Sequence, residues 1–171
     1  MNQPHQQPVR WRLRDADMPL RLFITGFLLL LTIGYGIGLF FVDHSTGGTA
    51  KGLADAYRGT SENSQAIELK YAKTTDEMYI FIHNHVLSLS IIFFLVGGLF
   101  YFSSIVSGAL KRFLLIEPFI ALATTFGGLW LMRFVSEHFS WLVIISGISM
   151  VGCYLIMVVL IVKELWMKKS E

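Results

Sequence analysis

Long apolar runs alternate with short polar segments along the chain. A helix needs about 20 predominantly apolar residues to cross the hydrocarbon core of a bilayer. The pattern predicts membrane-spanning helices over residues 22–42, 76–104, 113–134 and 141–165, with one long polar loop over residues 43–75. We therefore predict an all-α, polytopic membrane protein, a four-transmembrane-helix bundle with the loop between helices 1 and 2.

Composition supports a membrane protein. Hydrophobic residues make up 54% of the 171 residues and charged residues 15%, whereas soluble domains have roughly 45–50% and about 25%. A net charge of +2 without a basic run argues against nucleic acid as a partner. We predict a basic tail over residues 1–20 and one membrane domain over residues 21–171. The lone Cys153 excludes a disulfide within the chain and is expected to be a packing residue.

Basic residues predict the orientation, because cytoplasmic flanks of membrane helices are enriched in Lys and Arg. They cluster before helix 1, between helices 2 and 3, and after helix 4: Arg10, Arg12, Arg14, Arg21, Lys111, Arg112, Lys163, Lys168 and Lys169. Both termini are therefore predicted in the cytoplasm of a bacterium, with an extracytoplasmic loop at residues 43–75. The first apolar run exceeds the ~7–15 residues of a signal peptide and is predicted to be retained.

Local capping signals refine these boundaries. Thr49 is a suitable N-cap for a short helix that ends near Gly59, inside the polar loop. Thr74 and Glu77 have the spacing of a capping box, which predicts that helix 2 begins near residue 76.

Small residues predict where helices approach closely in lipid. Gly34 and Gly38 form a GxxxG pair on helix 1, which fits either packing within the chain or contact with a second copy or a partner subunit. Gly97, Gly128 and Ser146 are predicted to face the bundle interior or a cofactor.

Four histidines are predicted to lie in one layer at the extracytoplasmic side, and only His5 lies elsewhere. Imidazoles at membrane depth need partners. Because successive helical residues are ~100° apart, His83 and His85 cannot share one helix face. The small and polar residues of helix 2 favour His83 as the inward one. We predict a site formed by His83 and His138, with His44 or His85 as the alternate partner.

Two chemistries fit such a layer. The first is a b-type haem between two imidazoles, with Arg133 paired to a propionate. The second is a copper or zinc ion held by two or three imidazoles, from His83, His85 and His138, together with Glu137 or Asp43. The third interpretation has no cofactor: hydrogen-bonded histidines then hold the loop on the bundle.

Glu117 is the ionisable residue predicted within helix 3, roughly one turn from its cytoplasmic edge. It either pairs with Lys111 or Arg112 or handles protons. No P-loop, G-x-S-x-G, H-E-x-x-H or C-x-x-C motif is present, so no enzymatic reaction is assigned.

A basic N-terminus, a Gly-rich first helix, a polar loop and an H-x-H opening of helix 2 resemble small uncharacterised bacterial inner-membrane proteins. The order is also similar in outline to four-helix b-type cytochrome subunits of respiratory complexes. That resemblance implies an axial pair of His83 or His85 with His138 or His44. It also implies electron transfer between quinone and a periplasmic redox protein. The sequence departs from two-haem cytochromes because it has no histidines at the inner side. The alternative function is a non-catalytic accessory or scaffold subunit that packs beside other membrane subunits or a second copy.

Overall fold

A computed structural model describes residues 11–60 and 70–167, which contain helices and no strand. A short 3-10 turn at Leu13–Asp15 precedes five α-helices: α1 Met18–Thr46, α2 Ala50–Arg58, α3 Thr75–Tyr101, α4 Gly108–Phe134 and α5 Phe139–Trp166. Helices α1, α3, α4 and α5 are long and apolar enough to span a membrane. The predicted all-α, four-span architecture is confirmed.

The short helix α2 covers one end of the bundle, where it contacts α1, α4 and α5. We call this the α2 end; α1 and α4 finish there and α3 and α5 begin there. The opposite end is called the basic end and carries six of the eleven Arg and Lys residues of the described chain: Arg12, Arg14, Arg21, Lys111, Arg112 and Lys163. The other five lie at the α2 end: Lys51, Arg58, Lys70, Lys73 and Arg133.

Helix α1 extends four residues beyond the predicted range of 22–42 at each end. At its start the Asp17 carboxylate accepts a hydrogen bond from Leu20 N at 3.2 Å, as an N-cap does. At its end Gly47 adopts the left-handed conformation with φ 60°, which glycine enters without a steric penalty. These two caps, rather than the apolar run, set the helix length.

The predicted caps of α2 and α3 are confirmed. Thr49 Oγ1 accepts from Gly52 N at 2.9 Å, and α2 stops before Gly59. Thr74 Oγ1 accepts from Glu77 N at 3.2 Å, and Glu77 Oε2 accepts from Thr74 N at 2.7 Å. Both bonds of the capping box are therefore present.

The connection between α3 and α4 differs from the prediction. Helix α3 ends at Tyr101 rather than at residue 104, and α4 begins at Gly108 rather than at residue 113. Lys111 therefore lies in the first turn of α4 and not in a loop. Its ammonium group donates to the carbonyls of Tyr101 and Ser103, both at 2.7 Å. These bonds satisfy carbonyls that have no partner within α3, which explains the early stop.

Helix α5 is the centre of the bundle and contacts α1, α3 and α4. It approaches α4 most closely at Gly128, where an added Cβ would lie 3.0 Å from Val143 Cγ2. Nearby, the hydroxyls of Thr125 and Ser146 are 2.8 Å apart. Gly97, Gly128 and Ser146 are all buried, which confirms that they face the interior.

Helix α1 packs against α5 over the half that is nearer the basic end. The hydroxyls of Thr32 and Tyr154 are 3.0 Å apart, and the rings of Tyr35 and Tyr154 stack at 4.5 Å. Trp166 Nε1 donates to Thr25 Oγ1 at 3.2 Å. These contacts lie between residues 25 and 35 of the helix.

Residues 37–44 of α1 stand apart from the bundle, whereas the last turn of the helix is held at the α2 end. In that turn Thr46 is buried, and Ser45 O accepts from Lys70 Nζ at 2.6 Å. Every residue from 37 to 44 is exposed. Gly34 and Gly38 have nothing within 4 Å of an added Cβ, so no described residue of this chain packs into the GxxxG pair. Of the two interpretations of this pair, packing within the described chain is wrong.

The described part of the predicted tail is folded onto the basic end. Leu13 is fully buried, and its backbone N–H donates to Phe102 O at 3.3 Å. Arg21 Nη2 donates to Arg14 O at 3.0 Å. Residues 1–10, including His5, and residues 168–171 lie outside the described residues.

Candidate functional site

The four histidines of the predicted site lie in the half of the bundle nearer the α2 end. His44 is near the end of α1, His83 and His85 are in the first half of α3, and His138 immediately precedes α5. All four side chains are exposed. The fold therefore places them in the same half of the bundle, with His83 and His85 nearer its middle, and encloses none of them in the interior.

His83 does not point into the bundle, contrary to the prediction. Its exposed side chain lines an open groove of about 260 Å³ with Tyr79, Ile82 and Trp130. The buried residues of α3 are Met78, Phe93, Val96, Gly97 and Phe100, while other large apolar side chains of the helix are exposed, among them Phe94 at 72%. Lipid is as apolar as these side chains, so polarity does not decide which face of α3 is buried.

The polar side chains of residues 83–85 differ in whether they have hydrogen-bond partners. His85 Nδ1 lies 2.8 Å from Phe81 O, and its ring centroid is 4.1 Å from that of Phe81. In the described part of the chain, neither the His83 ring nor the Asn84 side-chain amide has a hydrogen-bond partner. Helix α3 thus carries two unsatisfied polar side chains on its outer surface.

The metal ligands predicted at this end are not gathered by the fold. Across residues 11–60 and 70–167, no three His, Cys, Asp or Glu side chains come close enough to share an ion. His83, His85, His138 and Glu137 are each exposed. A site built from them needs a rearrangement of the helix ends or ligands from elsewhere.

Arginines, rather than histidines, hold α2 and the following segment on the bundle. Arg133 Nε donates to Lys73 O at 2.7 Å, so the guanidinium expected to pair with a propionate is engaged. Arg58 Nη1 donates to Met132 O at 2.7 Å and to Arg133 O at 3.3 Å. These carbonyls belong to the last turn of α4, which has no partners for them within the helix.

Tyr57 also holds α2 against the bundle. Its ring lies 5.7 Å from that of Phe81 on α3, and its carbonyl accepts from Lys73 N at 2.9 Å. Burial raises the pKa of the Tyr57 phenol to about 12, because the charged form loses hydration. The α2 end is therefore a packed cover and not a loose loop.

A second polar cluster lies deep between α4 and α5. Glu117 is nine residues after the start of α4, about 13.5 Å along the helix, because α4 begins five residues earlier than predicted. One carboxyl oxygen, Oε1, accepts from the Ser149 hydroxyl, and the buried Cys153 lies beside it. The other oxygen, Oε2, is buried and has no partner among the described residues. An ionisable group at this depth is a candidate functional residue.

A third cluster was not predicted. Glu164 is 1% exposed and accepts from the Ser103 hydroxyl, from Ser104 N at 2.8 Å and from Ser104 Oγ at 2.6 Å. The carboxylate thereby ties α5 to the α3–α4 connection. The available sequence signal was a serine pair just after α3 and one acidic residue in the last turn of α5. Lys163 beside it indicated only the orientation of the chain.

Comparison with known proteins gives one match. Residues 47–171 match the family Aq_1264_TM, described as a transmembrane helical domain. The match covers α2 to α5 and begins one residue after α1 ends. No curated protein and no solved structure matches the chain. Since the matched segment is well over half of the 171 residues, the chain belongs to the Aq_1264_TM family of transmembrane helical domains.

Proposed function

We propose that the protein is a non-catalytic accessory subunit of a membrane complex and docks on another membrane protein through α1. One observation carries this proposal: eight consecutive residues, 37–44, are exposed on every side of the helix. They include Phe40 at 78% and Phe41 at 71% exposure. A helix that packed only within its own bundle would bury one face over two full turns.

The rest of the molecule sets α1 apart in the same way. In its apolar stretch 11% of the residues are buried, the lowest of the four spans, with 17% in α3, 33% in α5 and 44% in α4. The family match also excludes α1. Gly34 and Gly38 leave a shallow notch on this helix, since nothing in the described residues packs within 4 Å of an added Cβ there. Small residues at such notches let another transmembrane helix approach closely, so the partner contributes a helix.

Complexes extracted in a mild detergent test this proposal. Gly38→Leu fills the notch and should release the chain from assemblies larger than a pair of copies. Gly127→Leu on α4 is the matched control, because Gly127 also has nothing within 4 Å of an added Cβ. If both variants, or neither, stay in the assembly, or if the wild-type chain forms none, α1 is not the docking helix.

Electron transfer is the second candidate function. The groove of His83, Tyr79 and Trp130 favours it, because an imidazole donor beside aromatic rings suits a quinone. At about 260 Å³ the groove is below the 300–1,000 Å³ of typical ligand pockets, so one quinone ring fits it better than haem b. This function predicts that the purified wild-type protein contains bound quinone or shows a Soret band. The quinone or the band should be lost in His83→Ala and kept in His5→Ala. Copper and zinc analysis of the same sample tests the metal alternative.

We further propose that both termini are cytoplasmic in a bacterial inner membrane. The support is a surplus of Arg and Lys at the basic end, which has six described residues against five at the α2 end and is adjoined in the sequence by Arg10, Lys168 and Lys169. Cytoplasmic flanks are enriched in these residues. Lys51 is an exposed position on α2. In a Cys153→Ala background, the Lys51→Cys variant should react with an impermeant thiol reagent in cells whose inner membrane is intact. Reaction only after that membrane is opened would reverse the orientation.

A further inference from the structure

We propose that two copies of this chain pair inside the membrane through α3, an association that goes beyond docking by α1. A row of five exposed residues, which we call the α3 seam, marks the surface: Asn84, Ser88, Ile91, Leu95 and Gly98. Their spacing alternates between four and three residues, which is the repeat of a left-handed helix pair. At ~100° per residue all five lie within an arc of about 80°.

The α3 seam lies on the side of the helix opposite its packed side. Phe93, Val96 and Phe100 are buried, and the Phe93 ring lies 6.3 Å from that of Phe119 on α4 and 6.5 Å from that of Tyr154 on α5. By contrast, Ile91 is 60% and Leu95 44% exposed. Gly98 has nothing within 4 Å of an added Cβ. The seam therefore has the small residues and the spacing of a packed helix pair, but no helix of the described chain covers it.

Asn84 gives the α3 seam a polar group that needs a partner. It is nine residues after the start of the 27-residue helix, about 6 Å from the helix midpoint at 1.5 Å per residue. That depth is well inside a hydrocarbon core about 30 Å thick. Its side-chain amide has no partner in the described part of the chain, and an unpaired amide in an apolar medium is costly. The missing partner must come from outside the described chain.

The amide identifies that partner as a second copy. Two copies inserted with the same orientation place their α3 helices parallel, with a two-fold axis along the membrane normal. Asn84 then lies opposite Asn84 of the second copy. A carboxamide both donates and accepts, so the two side chains satisfy each other. Ser88 Oγ, which donates to Asn84 O at 2.7 Å, keeps lone pairs that accept from the amide across the pair.

Disulfide formation in the full chain tests the geometry of this pair. In a Cys153→Ala background, Ile91→Cys should form a species of twice the chain mass on mild oxidation in reconstituted membranes. Phe94→Cys is the matched control: Phe94 is more exposed, at 72%, but lies about 80° from the centre of the α3 seam. Disulfides need Cβ atoms about 3.5–4.5 Å apart, so the Phe94→Cys variant should remain a species of single-chain mass. Equal yields at the two positions, or no product at Ile91, overturn the pairing.

Removing the amide tests the role of Asn84. Asn84→Leu should weaken the pairing of purified chains roughly three- to thirtyfold, the range measured for interhelical polar bonds in membranes. Asn84→Gln, which keeps the amide, should stay within about threefold of wild type. If Asn84→Leu pairs as tightly as wild type, the amide contact is wrong. Failure here leaves docking by α1 intact, because the Gly38→Leu experiment reports on a different helix.

Discussion

The Glu117 carboxyl on α4 accepts a hydrogen bond from the Ser149 hydroxyl on α5, within the membrane-spanning part of the bundle. These two helices form the most buried pair of spans, at 44% and 33% of their apolar stretches. The bond links them at a depth where no bulk water is present, so it contributes to the rigidity of the domain that the family match covers.

Ser149→Ala should destabilise this helix pair, because it leaves Glu117 Oε1 without its partner while Oε2 already has none among the described residues. We expect a loss of about 1–3 kcal/mol in the free energy of unfolding, measured by denaturant titration in mixed micelles. Thr124→Ala is the control, since that hydroxyl bonds only to Ile120 O of its own helix; its effect should stay within about 0.5 kcal/mol. Equal effects of the two variants would show that the Glu117–Ser149 bond contributes nothing measurable.

Glu164→Ala should be more disruptive than Ser149→Ala. It removes a buried acceptor and leaves the donors of Ser103 and Ser104 unpaired, at a cost of at least about 2 kcal/mol. Lys163→Ala, the adjacent exposed position, should change the free energy of unfolding little. The same titration compares them, and a tolerated Glu164→Ala would contradict the assigned role of this carboxylate.

Gly128→Leu should disrupt the α4–α5 contact, since an added Cβ already lies 3.0 Å from Val143 Cγ2. Overpacking of this kind costs about 1–3 kcal/mol. The neighbouring Gly127 is exposed, with nothing within 4 Å of an added Cβ. Gly127→Leu should therefore be tolerated, and thermal unfolding in detergent should separate the two variants. Similar melting of both would contradict the close approach at Gly128.

The α2 cover should loosen at alkaline pH. A phenol titrates near 10 when exposed, whereas the pKa of Tyr57 is raised to about 12 in the fold. The neutral phenol therefore stabilises the folded cover fully below pH ~10, and this stability is lost as pH rises towards ~12. Phenolate absorbance of the wild type minus that of Tyr57→Phe isolates the titration. A midpoint near 10 for Tyr57 would contradict its burial.

The sequence predicted the helices and their caps well, because these depend on nearby residues. Thr49 and Thr74 are N-caps in the structure as their neighbours indicated. The deep position of Glu117 was missed because the start of α4 depends on a contact from Lys111 back to Tyr101. Apolar periodicity carries no information about such a contact.

The directions of side chains could not be predicted from polarity. In water the polar face of a helix points outward, but in lipid either face can be covered. His83 was expected inside and lies outside, and the interactions expected from histidines at the α2 end are made by Arg58 and Arg133. Helix α5, whose polar groups are small or terminal, gave little indication that it is the centre of the bundle.

Photocrosslinking in native membranes tests the central claim, docking through α1, most directly. A photoreactive phenylalanine derivative at Phe40, which is 78% exposed, should capture one discrete membrane protein other than this chain. The same derivative at Phe113 on α4, which is 54% exposed, should capture lipid alone. Lipid adducts alone at both positions would contradict the claim that a partner covers residues 37–44 of α1.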